Sequence, residues 1–140
     1  MNLEKANELV GGYLSYLKNI FEVFEVSDIN VNWIDIGTPF LDSRRDYIDI
    51  SIGKISDGAF VLTDTGTTLS NLELAGLYLS DDKFKRVVTE QLNCSGVLLG
   101  GPDKTELRKS FTAETFPQAF HEFIQCILAL DALSVVNRLR

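Results

Sequence analysis

The sequence predicts an α+β domain in which helices cover an antiparallel sheet of about five strands. Apolar residues recur at helical spacing towards both ends of the chain, and alternating apolar and polar residues between them indicate strands. Short turns, and not crossover helices, join these strands, which favours antiparallel pairing. We therefore expect the sheet to pack against an N-terminal helix, two middle helices and a long C-terminal helix. The 140 residues contain no linker or repeat, so a single domain over residues 1–140 is expected.

The N-terminal part is predicted to form an amphipathic helix over residues 2–26, followed by a strand over residues 29–36. Gly11 and Gly12 lie in the middle of this helix, where each glycine costs about 1 kcal/mol relative to alanine. We expect the following Gly37-Thr38-Pro39 to interrupt the strand, because proline cannot donate a ladder hydrogen bond.

A hairpin is the clearest local feature. Isoleucines alternate with polar residues over residues 46–55, Asp57-Gly58 suits a two-residue turn, and the return strand covers residues 59–64. A short helix is predicted over residues 69–75, with Thr68 or Ser70 as its cap.

The rest of the chain completes the pattern. A helix is predicted over residues 80–93, strands over 97–99 and 106–111 around the Gly100-Gly101-Pro102-Asp103 turn, and a last helix from near Thr115 and Pro117 to about Asn137. No uninterrupted apolar run approaches the roughly 18 residues of a membrane span, and the first residues are polar and acidic. We therefore expect a cytoplasmic protein without a membrane segment.

The negative charge of the chain is local. The net charge is −7, from 20 acids and 13 bases. Residues 22–73 hold ten of the acids and three of the bases, which accounts for the whole −7, while the remainder holds ten of each. Such a composition argues against direct nucleic-acid binding, which needs clustered lysine and arginine, and favours a protein partner.

The usual catalytic residue types stand alone. Cys94 and Cys126 lack metal-binding neighbours and are interpreted as buried, reduced thiols. His121 is the single histidine and is expected on a helix surface. The basic groups at residues 83–86 and 104–109 are expected to be solvated faces. We expect no cofactor and no bound metal.

The aspartates of the acidic segment admit two interpretations. Asp42, Asp49 and Asp64, with Lys54, could converge at the hairpin as a metal-dependent nuclease site, although the Asp/Glu-x-Lys pattern of restriction-type nucleases is absent. Alternatively, Asp42 and Asp64 cap turns by accepting backbone N–H groups, and Arg44 and Arg45 pair with neighbouring acids.

Five motifs in a fixed order carry a resemblance to a known family. They are Thr38-Pro-Phe-Leu-Asp42, Asp46-Tyr-Ile-Asp-Ile50, Leu62-Thr-Asp-Thr-Gly66, Leu72-Glu73 and Phe116-Pro-Gln118. Over about residues 30–130 the chain resembles a bacterial and phage family catalogued as domain of unknown function 1828. Ser43 and Thr65 stand where the family pattern has an arginine and an acid. The resemblance implies a compact mixed domain, often carried by prophages and other mobile elements, and no established activity.

These observations lead to a functional hypothesis. We expect a non-enzymatic interaction protein of a phage or mobile element, which binds a host or phage protein, such as a nucleic-acid-processing or defence enzyme, through residues 22–73. The expected binding residues are Asp35, Asp42, Arg44, Arg45, Asp46, Asp49 and Asp64. A metal-dependent nuclease is the alternative. A third interpretation is a structural or oligomerising accessory protein, such as a homo-oligomer, whose acidity only aids solubility.

Overall fold

The computed structural model describes residues 1–25 and 33–138. In this part of the chain the helices are α1 (Leu3–Ile20), α2 (Thr67–Leu74), α3 (Asp82–Ser95) and α4 (Phe116–Arg138). The strands are β1 (Glu22–Glu25), β2 (Trp33–Leu41), β3 (Tyr47–Ser56), β4 (Ala59–Thr63), β5 (Leu98–Gly100) and β6 (Glu106–Phe111). They form one antiparallel sheet in the order β1-β2-β3-β4-β6-β5. The predicted α+β class is confirmed, with six strands instead of about five.

The core lies between one face of the sheet and helices α2, α3 and α4. Its largest fully buried side chains are Phe123, Ile50, Leu62, Leu72, Leu107, Leu130, Val88, Val97 and Cys126. The predicted N-terminal helix is present, but none of its residues is buried. Helices α2 to α4 therefore supply the helical side of the core.

The β3–β4 hairpin forms as predicted because its turn is specified locally. Gly58 adopts a positive φ of 78°, which glycine tolerates without strain. The ends of α3 are also specified by neighbouring residues. Asp81 accepts a hydrogen bond from the backbone of Phe84 at the start of the helix, and Gly96 ends the helix at φ 63°.

Two predictions near the N-terminus are wrong. Residues 22–25 form β1 instead of continuing the helix, since they pair with β2 and gain sheet hydrogen bonds that the local pattern does not reveal. The strand is also not interrupted at Gly37-Thr38-Pro39. Strand β2 runs on to Leu41 through a register irregularity between Gly37 and Leu41, where Pro39 has no ladder bond to donate. Residues 29–32 of the predicted strand lie outside the described residues.

Two smaller expectations also need correction. Cys94 is exposed, whereas Cys126 is buried as predicted, and burial raises the pKa of the Cys126 thiol to about 11. Lys109 is not a solvated residue: its ammonium donates to the carbonyl of Ser95 at 2.6 Å and lies 3.0 Å from Glu122. It therefore satisfies the C-terminal end of α3 and ties β6 to α4.

Helix α4 combines length with apolar character. The stretch Phe116–Asn137 is long and apolar enough to cross a membrane by length and composition alone, although it is not an uninterrupted apolar run. In the fold it is the central helix, with Phe123, Ile127 and Leu130 buried in the core. Packing inside the domain accounts for the apolar character of these core positions.

Candidate functional site

The candidate site is an acidic cleft beside the first half of β3. Pairing between β3 and β4 begins at Ser51, opposite Thr63, because the chain leaves the sheet at Asp64 and turns into α2. Residues 47–50 of β3 therefore face the α2 turn on this side instead of a strand. The cleft has a volume of about 310 Å³.

Among the residues that the structure describes, six aspartates and no lysine, arginine or histidine line this cleft. They are Asp35, Asp42, Asp46, Asp49, Asp64 and Asp131. Tyr47, Asn71 and the threonines of the α2 turn add polar groups, and the buried side chain of Ile127 contributes apolar surface. Carboxylates from β2, β3, the two turns and α4 therefore surround one space.

Asp64 is a structural member of the cleft. Its side chain is 3% exposed, and it accepts backbone hydrogen bonds from Gly66 at 2.9 Å, Thr68 at 3.0 Å and Leu107 at 3.0 Å. The predicted cap of α2 by Thr68 or Ser70 is wrong, because the Asp64 carboxylate, and not a hydroxyl group, accepts the hydrogen bonds from the N–H groups at the start of the helix. Asp64 thereby joins the turn, α2 and β6.

Asp42 caps the turn that joins β2 to β3, as the second interpretation predicts. Its carboxylate accepts the backbone N–H groups of Arg44 at 2.8 Å and Asp46 at 3.0 Å. The backbone of Asp42 also donates to the Asp46 carbonyl at 2.9 Å. This network fixes the backbone of Asp46, which lines the cleft.

Asp131 holds the same turn from the opposite side. It accepts a hydrogen bond from the backbone of Ser43 at 2.6 Å and another from the Ser43 hydroxyl at 3.0 Å. The Ser134 hydroxyl lies 2.9 Å from that of Ser43. Sequence reasoning missed Asp131, yet it is the one charged residue within the apolar run of residues 123–136, which is the signal that could have found it.

Asp35 and Asp49 project from the outer face of the sheet, opposite the core isoleucines. Asp35 pairs with Ser51 in the register of β2 and β3 and accepts a hydrogen bond from its hydroxyl. Partial burial, followed by repulsion from the nearby Asp35 carboxylate, raises the pKa of Asp49. Among the described residues, no donor is hydrogen bonded to the carboxylate of Asp46 or Asp49.

The cationic residues of the hypotheses lie elsewhere. Arg44 donates to Asn71 at 3.3 Å beside a neighbouring cavity, and Arg45 occupies the turn at φ 64°. Lys54 lies near the far end of β3, where it pairs with Asp57 at 3.0 Å. The structure therefore brings together the predicted aspartates but not the predicted arginines or Lys54.

The nuclease alternative requires Lys54 and a free Asp64 carboxylate beside Asp42 and Asp49. Both carboxylate oxygens of Asp64 are occupied by backbone donors, and Lys54 does not line the cleft. Across residues 1–25 and 33–138, no group of three or more histidine, cysteine or acidic residues is arranged to hold a metal ion.

The partial burial of Asp49, together with repulsion from Asp35, leads to a stability prediction. Because its folded pKa is raised, the protonated form is favoured, and this contribution to stability is lost as pH rises through that pKa. Asp49→Asn is therefore expected to raise the free energy of unfolding at neutral pH by roughly 0.5 kcal/mol, a small value because the group is solvent-screened. Urea unfolding should show the gain at pH 7 and its disappearance near pH 3. An equal gain at both pH values would contradict this explanation.

The fold and the cleft define a two-layer α+β domain with an acidic cleft along its central strand. The family model described as Domain of unknown function DUF1828 matches residues 38–130, which is more than half of the chain. The chain belongs to this family. The match includes four of the six cleft aspartates and ends directly before Asp131. Comparison with curated proteins and with solved structures gives no match.

Proposed function

We propose that this chain is a non-enzymatic binding domain that receives a cationic segment of a partner protein in the acidic cleft. The observation that carries the proposal is the lining: six aspartates around about 310 Å³, without a basic side chain among them. Carboxylates held near one another repel, and a lysine or arginine side chain that enters between them relieves the repulsion. A cationic partner would therefore interact most strongly at the cleft, where no basic side chain of the described residues neutralises the carboxylates.

The cleft aspartates differ in whether their carboxylates are already hydrogen bonded within the chain. Asp42, Asp64 and Asp131 are satisfied by backbone or hydroxyl donors, so they fix the walls of the cleft. Asp46 and Asp49 are exposed and are the carboxylates available to a partner. Such a preformed site loses little conformational entropy on binding, because the walls are already ordered.

The kind of partner follows from charge complementarity. Proteins that handle nucleic acids carry lysine and arginine along the surfaces that contact phosphates. An acidic domain can occupy such a surface, and opposite charges accelerate the encounter. We propose a host nucleic-acid-processing or defence protein as the partner and a prophage or other mobile element as the genetic setting. The family resemblance motivates this setting.

Affinity capture tests the proposal. The tagged chain is incubated with nuclease-treated bacterial lysate at low and at moderate salt, beside Asp46→Asn/Asp49→Asn. We expect a stoichiometric basic partner on the wild-type chain, at least tenfold less on the double variant, and less at higher salt, since screening shortens the reach of exposed charges to about 8–10 Å. Glu90→Gln/Asp103→Asn removes the same charge from exposed sites outside the cleft and should retain the partner.

Two results would contradict the proposal. The double variant could retain the partner at the wild-type level, which would place the interface elsewhere. The control variant could lose the partner equally, which would indicate attraction by net charge without a specific site.

A further inference from the structure

Helix α1 presents an apolar surface that the described chain leaves largely uncovered. None of its residues is buried, and only Ala6, Leu17 and Ile20 are partly covered. Its six most exposed large apolar side chains are between 53% and 78% exposed: Leu3, Leu9, Val10, Tyr13, Leu14 and Tyr16. The helix is anchored at its end, where Phe21 packs against Phe40 and Phe120 with ring centroids 6.4 and 6.2 Å apart.

The apolar residues of α1 follow the spacing of helices that pack against helices. Steps of three and four residues alternate along Leu3, Ala6, Val10, Tyr13, Leu17 and Ile20, which is the a/d pattern of a coiled coil. Leu9, Leu14 and Tyr16 flank this seam. The opposite face is polar, with Glu4, Lys5, Glu8, Ser15 and Lys18. One face of the helix is therefore suited to packing against another apolar surface, and the opposite face is suited to solvent exposure.

The helix also requires stabilisation from outside. Gly11 and Gly12 occupy its centre, and a Cβ atom added at either position would meet nothing within 4 Å. No packing among the described residues requires these glycines, yet both disfavour the helix. Most of the stability of a helix in a protein comes from packing of its apolar face, and α1 has no buried residue. Contact along the apolar face would supply the stability that the sequence of the helix does not provide.

The chemistry of α1 favours a second copy over a membrane surface. Helices that lie on membranes carry many lysines and arginines on their polar face. Here Lys5 and Lys18 are balanced by Glu4 and Glu8. At on the order of 100 Å² each, the six exposed side chains of two copies bury roughly 1,200 Å², above the roughly 1,000 Å² expected of a biological interface.

We propose that the chain forms a homodimer in which the α1 helices of two copies pack antiparallel along this apolar face. The proposal does not depend on the acidic cleft. A parallel pair would place the two domain bodies side by side after Ile20 and bring their acidic segments together. An antiparallel pair separates the bodies by the length of the helix, roughly 27 Å, and sets the helix dipoles in opposition.

Sedimentation equilibrium of the full chain over micromolar concentrations tests the dimer. We expect the mass to approach twice the 15.6 kDa of the monomer, and Val10→Glu/Tyr13→Glu to remain at 15.6 kDa. Ser15→Glu adds a charge to the polar face and should leave the dimer intact. The thermal unfolding of the core checks that the double variant is folded, as expected from a helix without buried residues. A wild-type chain that stays monomeric, or a double variant that still dimerises, overturns the proposal.

Disulfide trapping tests the orientation. The exposed Cys94 is first replaced by serine so that only introduced thiols react. In an antiparallel pair Leu3 of one copy lies near Ile20 of the other, so Leu3→Cys/Ile20→Cys should form a covalent dimer on oxidation, and Leu3→Cys alone should not. A covalent dimer from Leu3→Cys alone, or none from the double variant, contradicts the antiparallel arrangement.

Discussion

Replacement of Asp64 by alanine is expected to lower the free energy of unfolding by about 3–5 kcal/mol, the largest effect of any cleft substitution. The carboxylate is 3% exposed and accepts three backbone hydrogen bonds, from Gly66, Thr68 and Leu107. Alanine would leave these N–H groups without a partner in a site with little access to water, and each costs about 1–3 kcal/mol. Urea unfolding followed by circular dichroism measures the loss.

The amide substitution refines this expectation. Asp64→Asn keeps one acceptor oxygen, which serves Gly66 and Leu107, but turns an NH₂ group towards the backbone N–H of Thr68. We expect a loss of about 2 kcal/mol, intermediate between wild type and alanine. Asp46→Ala removes an exposed carboxylate from the same cleft and should stay within about 0.5 kcal/mol of wild type. Unchanged stability in Asp64→Ala would refute a structural role for this residue.

Asp131→Ala should have the second-largest effect, a loss of about 2–3 kcal/mol together with a loosened β2–β3 turn. Asp131 joins α4 to the turn through the backbone and hydroxyl groups of Ser43, 88 residues away in sequence. Without it, the Asp42 network is no longer held against the helix. Amide hydrogen exchange should become faster at Arg44, Arg45 and Asp46, and binding of a cationic partner should weaken with it.

The asparagine variant serves as the control for Asp131. Its amide oxygen can accept the Ser43 N–H, and its NH₂ group can donate to the Ser43 hydroxyl, so Asp131→Asn should lose no more than about 1 kcal/mol. Alanine and asparagine variants of equal stability would show that the hydrogen bonds to Ser43 do not hold the turn.

Features specified by neighbouring residues could be predicted from the sequence. The Asp57-Gly58 hairpin, the cap made by Asp42 and the surface position of His121 each depend on a few adjacent residues. The paired part of the hairpin ends with Ser51 opposite Thr63, so Asp64 is the first residue of the chain beyond it. Alternation and turn chemistry are local signals, and they were sufficient here.

The remainder depends on contacts between distant segments. The sequence pattern predicts helix where β1 forms, because only the pairing with β2 reveals this strand. It also predicts a solvated Lys109, because the partners of this residue, Ser95 and Glu122, come from two distant helices. Asp131 enters the cleft through the docking of α4. The acidic cleft thus contains five aspartates that the sequence predicts as site residues and Asp131, which only the packing of α4 brings there.

The most direct test of the central claim is an NMR titration of the isotope-labelled chain with an oligo-arginine peptide. A cleft that binds cationic side chains should show saturable amide shifts around Asp46, Asp49, Thr65 and Asn71. These shifts should be lost in Asp46→Asn/Asp49→Asn and kept in Glu90→Gln/Asp103→Asn. Shifts spread evenly over the exposed acids of the whole chain, or undiminished shifts in the cleft variant, would contradict the claim.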